Sequence, residues 1–513
     1  MNSKTGKVYL IGAGPGDPGL LTIKAKECIE NADIVVYDYL ASPFLLNYAK
    51  KNASIFYVGK KGSNHTLSQD KINLLLVEKA KNGNNIARLK GGDPYIFGRG
   101  AEEAQFLLAN NIAYEVIPGI TSAIAAPAYA GIPITHREHN SCVSFITGHE
   151  NPEKKESSMQ WELYAQSNAT LVFLMGVKNL EHITYKLIEF KKDPKTPIAL
   201  VRWGTTSKQQ TITGTLDSIV ETAKKAKFKS PAIIIIGNVV NLRDELAWFD
   251  KKPLFGKTII ITRARAQASS LVSKLSKLGA YCVEIPTIKI QETKDKSHIK
   301  KAIKNIKQYD WLIFTSVNGV KFFFKTLFAK GYDTRTLGNL KCACIGPVTK
   351  KRLLDYGIVS DILPDSYVAE SVINAFSNFE IKNKKILLPR AKNARTILPK
   401  ELTKIGAIVD EVIVYEAKPD ISEKEKLISM LENNEIDIVT FTSSSTVSNF
   451  ISLIKPKDCN RLMKNVVTAS IGPITCDTAK SFGIKTDIQA KEYTIEGLVN
   501  SLIKYYDKNK SNK

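Results

Sequence analysis

Short apolar runs recur along the first half of the chain, separated by stretches whose apolar residues fall at helical spacing. Val8-Tyr-Leu-Ile11 reads as a strand, Leu20–Asn31 as a helix, Ile34-Val-Val-Tyr37 as a strand again, and the alternation continues. Such alternation predicts an α/β architecture with much parallel sheet. A polar hinge, Asp250-Lys-Lys-Pro-Leu-Phe-Gly256, follows Ala247-Trp-Phe249, and a fresh strand, Lys257-Thr-Ile-Ile-Ile-Thr262, begins at once. The boundary is placed there, giving domains 1–250 and 254–507. No apolar run is long enough to span a membrane. The start, Met1-Asn-Ser-Lys-Thr-Gly-Lys7, has no apolar signal core, so the expected location is the cytoplasm.

The second half repeats itself at a lag of 127 residues. Lys257-Thr-Ile-Ile-Ile-Thr-Arg-Ala264 aligns with Lys384-Lys-Ile-Leu-Leu-Pro-Arg-Ala391, Leu278-Gly-Ala280 with Ile405-Gly-Ala407, and Phe314-Thr-Ser316 with Phe441-Thr-Ser443. At a lag of 126, Cys344-Ile-Gly-Pro-Val-Thr349 aligns with Ser470-Ile-Gly-Pro-Ile-Thr475. The period is too long for a solenoid. Two copies of an α/β lobe facing a cleft are the natural outcome. The recurring Thr-Ser and Gly-Pro-x-Thr follow strand-like runs (Trp311–Phe314, Cys342–Ile345, Asp437–Phe441, Thr468–Ile471), where open α/β sheets place their ligand crevice. The same hydroxyls also suit helix capping, and both roles stay open.

Charge sharpens the contrast between the halves. The chain has 513 residues and a net charge of +23; residues 251–513 carry +18 of it and residues 1–250 only +5. That excess fits either a lysine-rich solvated surface or a domain that handles a polyanion, nucleic acid or small polycarboxylate. Seven dispersed cysteines without a C-x-x-C pair argue against a disulfide framework and a zinc knuckle; Cys342-Ala-Cys344 reads as alternation on a buried strand. No metal site is expected.

Glycines 12, 14, 16 and 19 in Leu10-Ile-Gly-Ala-Gly-Pro-Gly-Asp-Pro-Gly-Leu-Leu-Thr22 look like a nucleotide loop, but no Gly-Lys-Ser/Thr ends it. Gly12-Ala-Gly14 begins a dinucleotide fingerprint, and Asp38 could imitate its ribose-binding acid. Asp17 replaces the third glycine, however, and Pro15 and Pro18 remove amide donors that a pyrophosphate needs. A ligand without a pyrophosphate, held by shape and carbonyls, fits better. Further on come Arg88-Leu-Lys-Gly-Gly-Asp-Pro-Tyr-Ile-Phe-Gly-Arg-Gly-Ala-Glu-Glu103, Ile117-Pro-Gly-Ile-Thr-Ser-Ala-Ile124, Ala130-Gly-Ile-Pro-Ile-Thr-His-Arg137, Leu174-Met-Gly176, Val201-Arg-Trp-Gly-Thr-Thr206 and Pro231-Ala-Ile-Ile-Ile-Ile-Gly237.

In this order and spacing the series resembles the tetrapyrrole methylase family, in particular its uroporphyrinogen-III C-methyltransferases, over residues 6–250. The resemblance implies S-adenosylmethionine as methyl donor, two α/β lobes with that molecule between them, and a homodimer. Carried over residue by residue, it places Pro15, Gly91, Gly92, Asp93, Ile96, Thr121, Ser122, Met175 and Gly204 at the methyl donor. It makes Asp38 the proton acceptor and Lys60, in Val58-Gly-Lys-Lys-Gly62, the proton donor. A positioned carboxylate suits the chemistry, because methylation of a pyrrole carbon must be followed by loss of a ring proton. Arg202-Trp203 departs from the pattern before Gly204. His65 and His136-Arg137 are weaker candidates for contacts with substrate propionates.

Residues 254–506 resemble uroporphyrinogen-III synthase, whose two α/β lobes are joined by a two-stranded linker. In that fold the first strand–helix unit of each repeat belongs to the lobe completed by the other copy. The resemblance brings Ser316, Thr349, Tyr415, Ser443 and Thr475 to the substrate, with Tyr415 assisting loss of hydroxide from hydroxymethylbilane. Arg263, Arg390 and Arg395 are guesses as partners for its eight carboxylates.

Together the two resemblances imply a bifunctional enzyme: hydroxymethylbilane is cyclised to uroporphyrinogen III, which is then methylated twice, at C2 and C7, to precorrin-2. The expected partners are these small molecules and no nucleic acid or membrane. Alternatives are a methylase acting on another corrin intermediate or RNA, beside a second half that only binds tetrapyrrole. No aromatic–basic stacking motif favours RNA.

Overall fold

The computed structural model describes residues 5–59, 67–149, 159–263, 265–364, 374–376, 379–394 and 396–510. They form two compact units: 1–259 with 273–282 and 502–513, and 260–272 with 283–501. No helix among the described residues is long and apolar enough to cross a membrane.

The first unit opens with β1 (Val8–Gly12), β2 (Ile34–Tyr37), β3 (Ser54–Tyr57), β4 (Ile86–Lys90) and β5 (Tyr114–Ile117), ordered β3-β2-β4-β1-β5 in an all-parallel sheet. Helices cover both faces, so the central strands read as continuous apolar runs. Val8, Leu10, Val36 and Ile86 serve one core, and Ile11, Val35, Ala87 and Leu89 the other. β4 lies between β2 and β1, so its carboxyl end sits at the middle of the sheet's ligand edge.

β6 (Val143–Thr147), β7 (Thr170–Leu174), β8 (Pro197–Arg202), β9 (Gln210–Thr215) and β10 (Ala232–Ile236) form a second sheet, ordered β6-β7-β10-β8-β9. This sheet is mixed where the first is all parallel: only β6 and β7 run parallel. The short connection from Arg202 to Gln210 joins β8 to β9 without a crossover helix, which antiparallel pairing allows. The isoleucine run of β10 divides its side chains between two cores, Ile234 and Ile236 on one face and Ile233 and Ile235 on the other.

The repeated half supplies β11 (Thr258–Ile261), β12 (Tyr281–Glu284), β13 (Ile288–Glu292), β14 (Trp311–Phe314), β15 (Lys341–Cys344), β16 (Lys385–Ala391), β17 (Ile408–Pro419), β18 (Ile438–Phe441), β19 (Val467–Ser470) and β20 (Ile488–Gln489). They make two sheets, β12-β11-β18-β19-β20 and β13-β17-β16-β14-β15. The copies therefore exchange their first units, as the synthase resemblance implied: β11 of the first copy stands beside β18 of the second, and β16 of the second beside β14 of the first. Threonine hydroxyls reinforce the first junction, Thr440 Oγ1 donating to the Ile260 carbonyl (3.0 Å) and Thr262 Oγ1 to that of Thr440 (2.7 Å). β13 and the end of β17 pair antiparallel, Ile288 opposite Pro419, and form the two-stranded crossing between lobes.

Candidate functional sites

In the first unit three glycine-bearing loops meet at the carboxyl ends of β1, β4 and β5. Gly14 and Gly92 exchange backbone hydrogen bonds, Gly92 N to Gly14 O at 2.8 Å and Gly14 N to Gly92 O at 3.2 Å. A methyl group on Gly12 would lie 2.4 Å from the Gly119 backbone and 2.8 Å from the Gly92 carbonyl, so only glycine admits this approach. Gly92 has φ +71°, while a side chain there would meet Thr121 and Ser122 only at ordinary contact distance. Asp93 braces the junction: Oδ1 accepts from the Tyr95 amide (2.8 Å) and Oδ2 from the Gly119 amide (2.9 Å). Thr121 caps the helix Ser122–Tyr129 by accepting from the Ala123 amide.

The proline loop reaches the second lobe of the same unit. The Asp17 amide donates to Thr205 Oγ1 (3.0 Å), the Tyr129 hydroxyl donates to Asp17 Oδ2 (2.8 Å), and Gly16 lies against Thr205 and Thr206. Burial, and then that hydrogen bond, push the Tyr129 phenol above its ordinary range. Gly204 sits against Ala126 of the helix capped by Thr121. Pro15, Gly91, Gly92, Asp93, Thr121, Ser122 and Gly204 are thus brought into adjoining loops. Ile96 lies in the half-buried loop after Asp93, and Met175 is exposed at the end of β7 with φ +59°.

Asp38 follows β2. Its Oδ1 accepts from the Leu40 amide (3.1 Å), its Oδ2 pairs with Arg88 Nη2 (3.2 Å), and Leu40 packs on Gly91. Asp38 therefore joins the same neighbourhood as the methyl-donor candidates. Lys60 and His65 lie outside the described residues, as does Arg395. His136 closes a local turn, its amide donating to Asn140 Oδ1.

The sequence reading passed over what lies beneath Asp38. Arg88, Lys90 and Glu103 are 3%, 4% and 0% exposed. Glu103 Oε1 accepts from Lys90 Nζ (2.7 Å), Gln69 Nε2 (3.0 Å) and Arg88 Nε (3.4 Å), while Oε2 has no hydrogen-bond partner among the described residues. Burial, then the neighbouring Arg88 charge, push the Lys90 ammonium below its ordinary value; Glu103 opposes them. Trp203, which departs from the family pattern, is held at φ +49° with its ring edge-on to Tyr39 (centroids 5.5 Å apart), the residue that follows Asp38. Backbone strain of this kind concentrates at functional sites.

In the second unit Ser316 Oγ and the Tyr415 hydroxyl lie 3.1 Å apart, and the Tyr415 ring stacks on Phe322. Ser316 caps helix Val317–Ala329, and Thr349 is buried in the first turn of helix Pro347–Leu354. The other lobe repeats the pattern. Ser443 and Thr446 form a reciprocal capping box on helix Ser444–Ile454, Thr475 is buried in helix Pro473–Ser481, and Ser444 Oγ donates to the Ile474 carbonyl (3.2 Å). Each lobe thus carries one cluster of predicted hydroxyls at strand ends. Arg390 is buried and pairs with Glu411 (2.6 Å), which opposes its guessed role as a substrate partner; Arg263 is half-buried. Among the described residues no three His, Cys, Asp or Glu side chains are grouped to hold a metal.

Four sheets with ligand loops at their strand ends, two built around exchanged repeats, define a pair of two-lobed α/β small-molecule enzymes in one chain. The family model described as tetrapyrrole (corrin/porphyrin) methylases matches residues 7–220, and that described as uroporphyrinogen-III synthase HemD matches residues 269–500. The porphyrin biosynthesis protein HemD of Ruminiclostridium josui is 36% identical over 97% of this chain and 98% of its own length. A uroporphyrinogen-III C-methyltransferase of Bacillus subtilis is 42% identical over 71% of this chain and 75% of that protein. A solved uroporphyrin-III C-methyltransferase from Thermus thermophilus, complexed with S-adenyl homocysteine, is 36% identical, with 46% of this chain and all of that one covered and a TM-score of 0.40. The chain belongs to the family in which a tetrapyrrole methylase is fused to a uroporphyrinogen-III synthase.

Proposed function

We propose that this chain is a bifunctional enzyme that cyclises hydroxymethylbilane to uroporphyrinogen III with loss of water. It then transfers two methyl groups from S-adenosylmethionine to give precorrin-2. The observation that carries this conclusion is the pairing of both family matches along one chain, with a fused relative alignable over 97% of it.

The residues present fit the methyl donor. Gly12, Gly92 and Gly119 bring their backbones too close for side chains at Gly12 and Gly119, and Pro15 and Pro18 remove amides that would favour a pyrophosphate. When bound, S-adenosylmethionine supplies an electrophilic methyl group. Backbone from the 12–16, 91–93, 119–122 and 204–206 loops would hold it, with Asp93 fixing two of these loops to each other rather than serving as a free carboxylate. Asp38 would accept the ring proton released after methylation, and Lys60 would donate one. Alignment of the reacting atoms supplies most of the remaining acceleration.

In the second unit Tyr415 would donate a hydrogen bond to the departing hydroxide, with Ser316 orienting the phenol. Thr349, Ser443 and Thr475 would contact the substrate from strand ends in the two lobes. Catalysis there rests on holding a flexible linear tetrapyrrole in the folded shape that inverts its last ring.

Association as a homodimer through the methylase unit, a cytoplasmic location, and supply of precorrin-2 to sirohaem or cobalamin synthesis belong to the same proposal. The test is to give the purified protein hydroxymethylbilane and S-adenosylmethionine. Precorrin-2 and two equivalents of S-adenosylhomocysteine are expected. Accumulation of uroporphyrinogen I alone, with no S-adenosylhomocysteine, refutes it.

A further inference from the structure

We propose that Arg88 is a positioning residue of the methylase: anchored in the protein interior by Glu103, it fixes the Asp38 carboxylate at the ring being methylated. The proposal rests on the assignment of Asp38 as the proton acceptor.

The network begins in the alternation of β4. Ile86 points into the core that also holds Val36, Leu76 and Leu107, whereas Ala87 and Leu89 point into the opposite one. Strand period therefore puts Arg88 and Lys90 on the same face as Ile86, toward an apolar core. Helices Gln69–Lys81 and Gly100–Ala109 meet them there with Gln69 and Glu103. Burying three ions is costly, and apolar side chains would pack such a face as stably. A purely structural cluster would also be expected to close on itself.

This cluster does not close. Two cations face one carboxylate, and that carboxylate leaves one oxygen without a partner among the described residues. The surplus positive charge is met by Asp38, whose Oδ2 takes the outward nitrogen of Arg88 at 3.2 Å. Arg88 is further pinned by donating Nη1 to the Leu89 carbonyl (2.9 Å). Asp38 is partly solvent-exposed, with its second oxygen on the Leu40 amide, so the network runs from the core to the surface of the site. A planar guanidinium held at two points, by Glu103 and the Leu89 carbonyl, presents its third nitrogen to Asp38 in one position and one orientation, which a flexible lysine could not do as well.

The reaction needs a carboxylate so placed. Bond formation between the ring carbon and the methyl group breaks the carbon–sulfur bond, whose electron pair stays on sulfur. The positive charge passes to the macrocycle until a ring proton leaves to Asp38. A carboxylate fixed beforehand faces that charge without reorganising.

The experiment is a double-mutant cycle in the full-length protein, measuring methylation of uroporphyrinogen III and S-adenosylhomocysteine affinity. Arg88→Gln is expected to lower kcat about 10- to 100-fold while S-adenosylhomocysteine affinity stays within about three-fold, and Arg88→Lys to restore part of the rate. In an Asp38→Asn background, Arg88→Gln should cost less than about two-fold more, since it acts through Asp38. Losses that multiply, an Arg88→Gln enzyme with normal kcat, or one that loses S-adenosylhomocysteine binding as well overturn the proposal while leaving the assignment of Asp38 standing. An Asp38→Asn enzyme that methylates at the wild-type rate overturns that assignment and this proposal with it.

Discussion

At the scale of single residues, Tyr415 and Cys342 make contrasting cases. The Tyr415 phenol meets Ser316 Oγ while its ring stacks on Phe322, so Tyr415→Phe keeps the packing and removes only the hydroxyl. Steady-state assay with hydroxymethylbilane should show kcat at least about ten-fold lower, as loss of a proton donor in the transition state requires, with little change in thermal stability. Cys342 lies on a buried strand, and burial, then the charge of Asp361, push its thiol up to about 12. Alkylation at pH 8 should modify exposed Cys142 in the native protein and reach Cys342 only on unfolding. The sign of the linkage follows. Between its ordinary 9.0 and about 12 the folded chain keeps the thiol proton that the unfolded chain releases, so Cys342 lowers stability as pH rises through that window. Alternation in Lys341-Cys-Ala-Cys344 was enough to place both sulfurs in the core. The burial of Arg88 and Lys90 on a strand and of Glu103 on a helix was not legible, because charged side chains ordinarily face solvent and only tertiary contact supplies their partners.

Among elements, the glycine junction separates two kinds of backbone constraint. Gly12→Ala forces a methyl group into the Gly119 backbone, with no flexible side chain to yield, whereas Gly92→Ala meets space but keeps a left-handed backbone costing about 1–2 kcal/mol. Calorimetry should show a methylase-unit melting temperature about 2–8 °C lower for Gly92→Ala and a larger fall for Gly12→Ala. S-adenosylhomocysteine affinity should fall in parallel, and synthase activity should persist in both. The motif spacing made these loops candidates. That Gly119 is the residue opposite Gly12 became visible only once β1, β4 and β5 were neighbours, since nothing local in Pro118-Gly119 names its partner. The exchange of β11 and β16 came from the resemblance to the synthase fold; the repeat alone marked two equivalent copies, and copies that align strand for strand do not say which lobe each first strand joins. The antiparallel run of β7, β10, β8 and β9 was not legible, since a buried apolar strand carries no mark of its direction.

For the molecule as a whole, charge is the property that the two activities divide. Residues 251–513 carry +18 of the net +23, and the substrate proposed for that half is a polycarboxylate. Raising ionic strength from about 0.05 to about 0.3 M shortens the screening length to well under 10 Å. KM for hydroxymethylbilane should rise severalfold over that range, while KM for S-adenosylmethionine, whose proposed pocket is mostly backbone, changes little. Equal sensitivity of the two would assign the excess lysine to solvation alone. The exchanged repeats carry a further consequence for a chain made from its N-terminus. β13 through β17 are all synthesised by residue 419, so their lobe can close while the chain is still growing. β11 must wait until β18 emerges, with Thr262 and Thr440 separated by 178 positions. The lobe whose first strand appears earliest is thus the last to be completed on the ribosome, and a message broken after β17 would release one finished lobe trailing the unpaired beginning of the other.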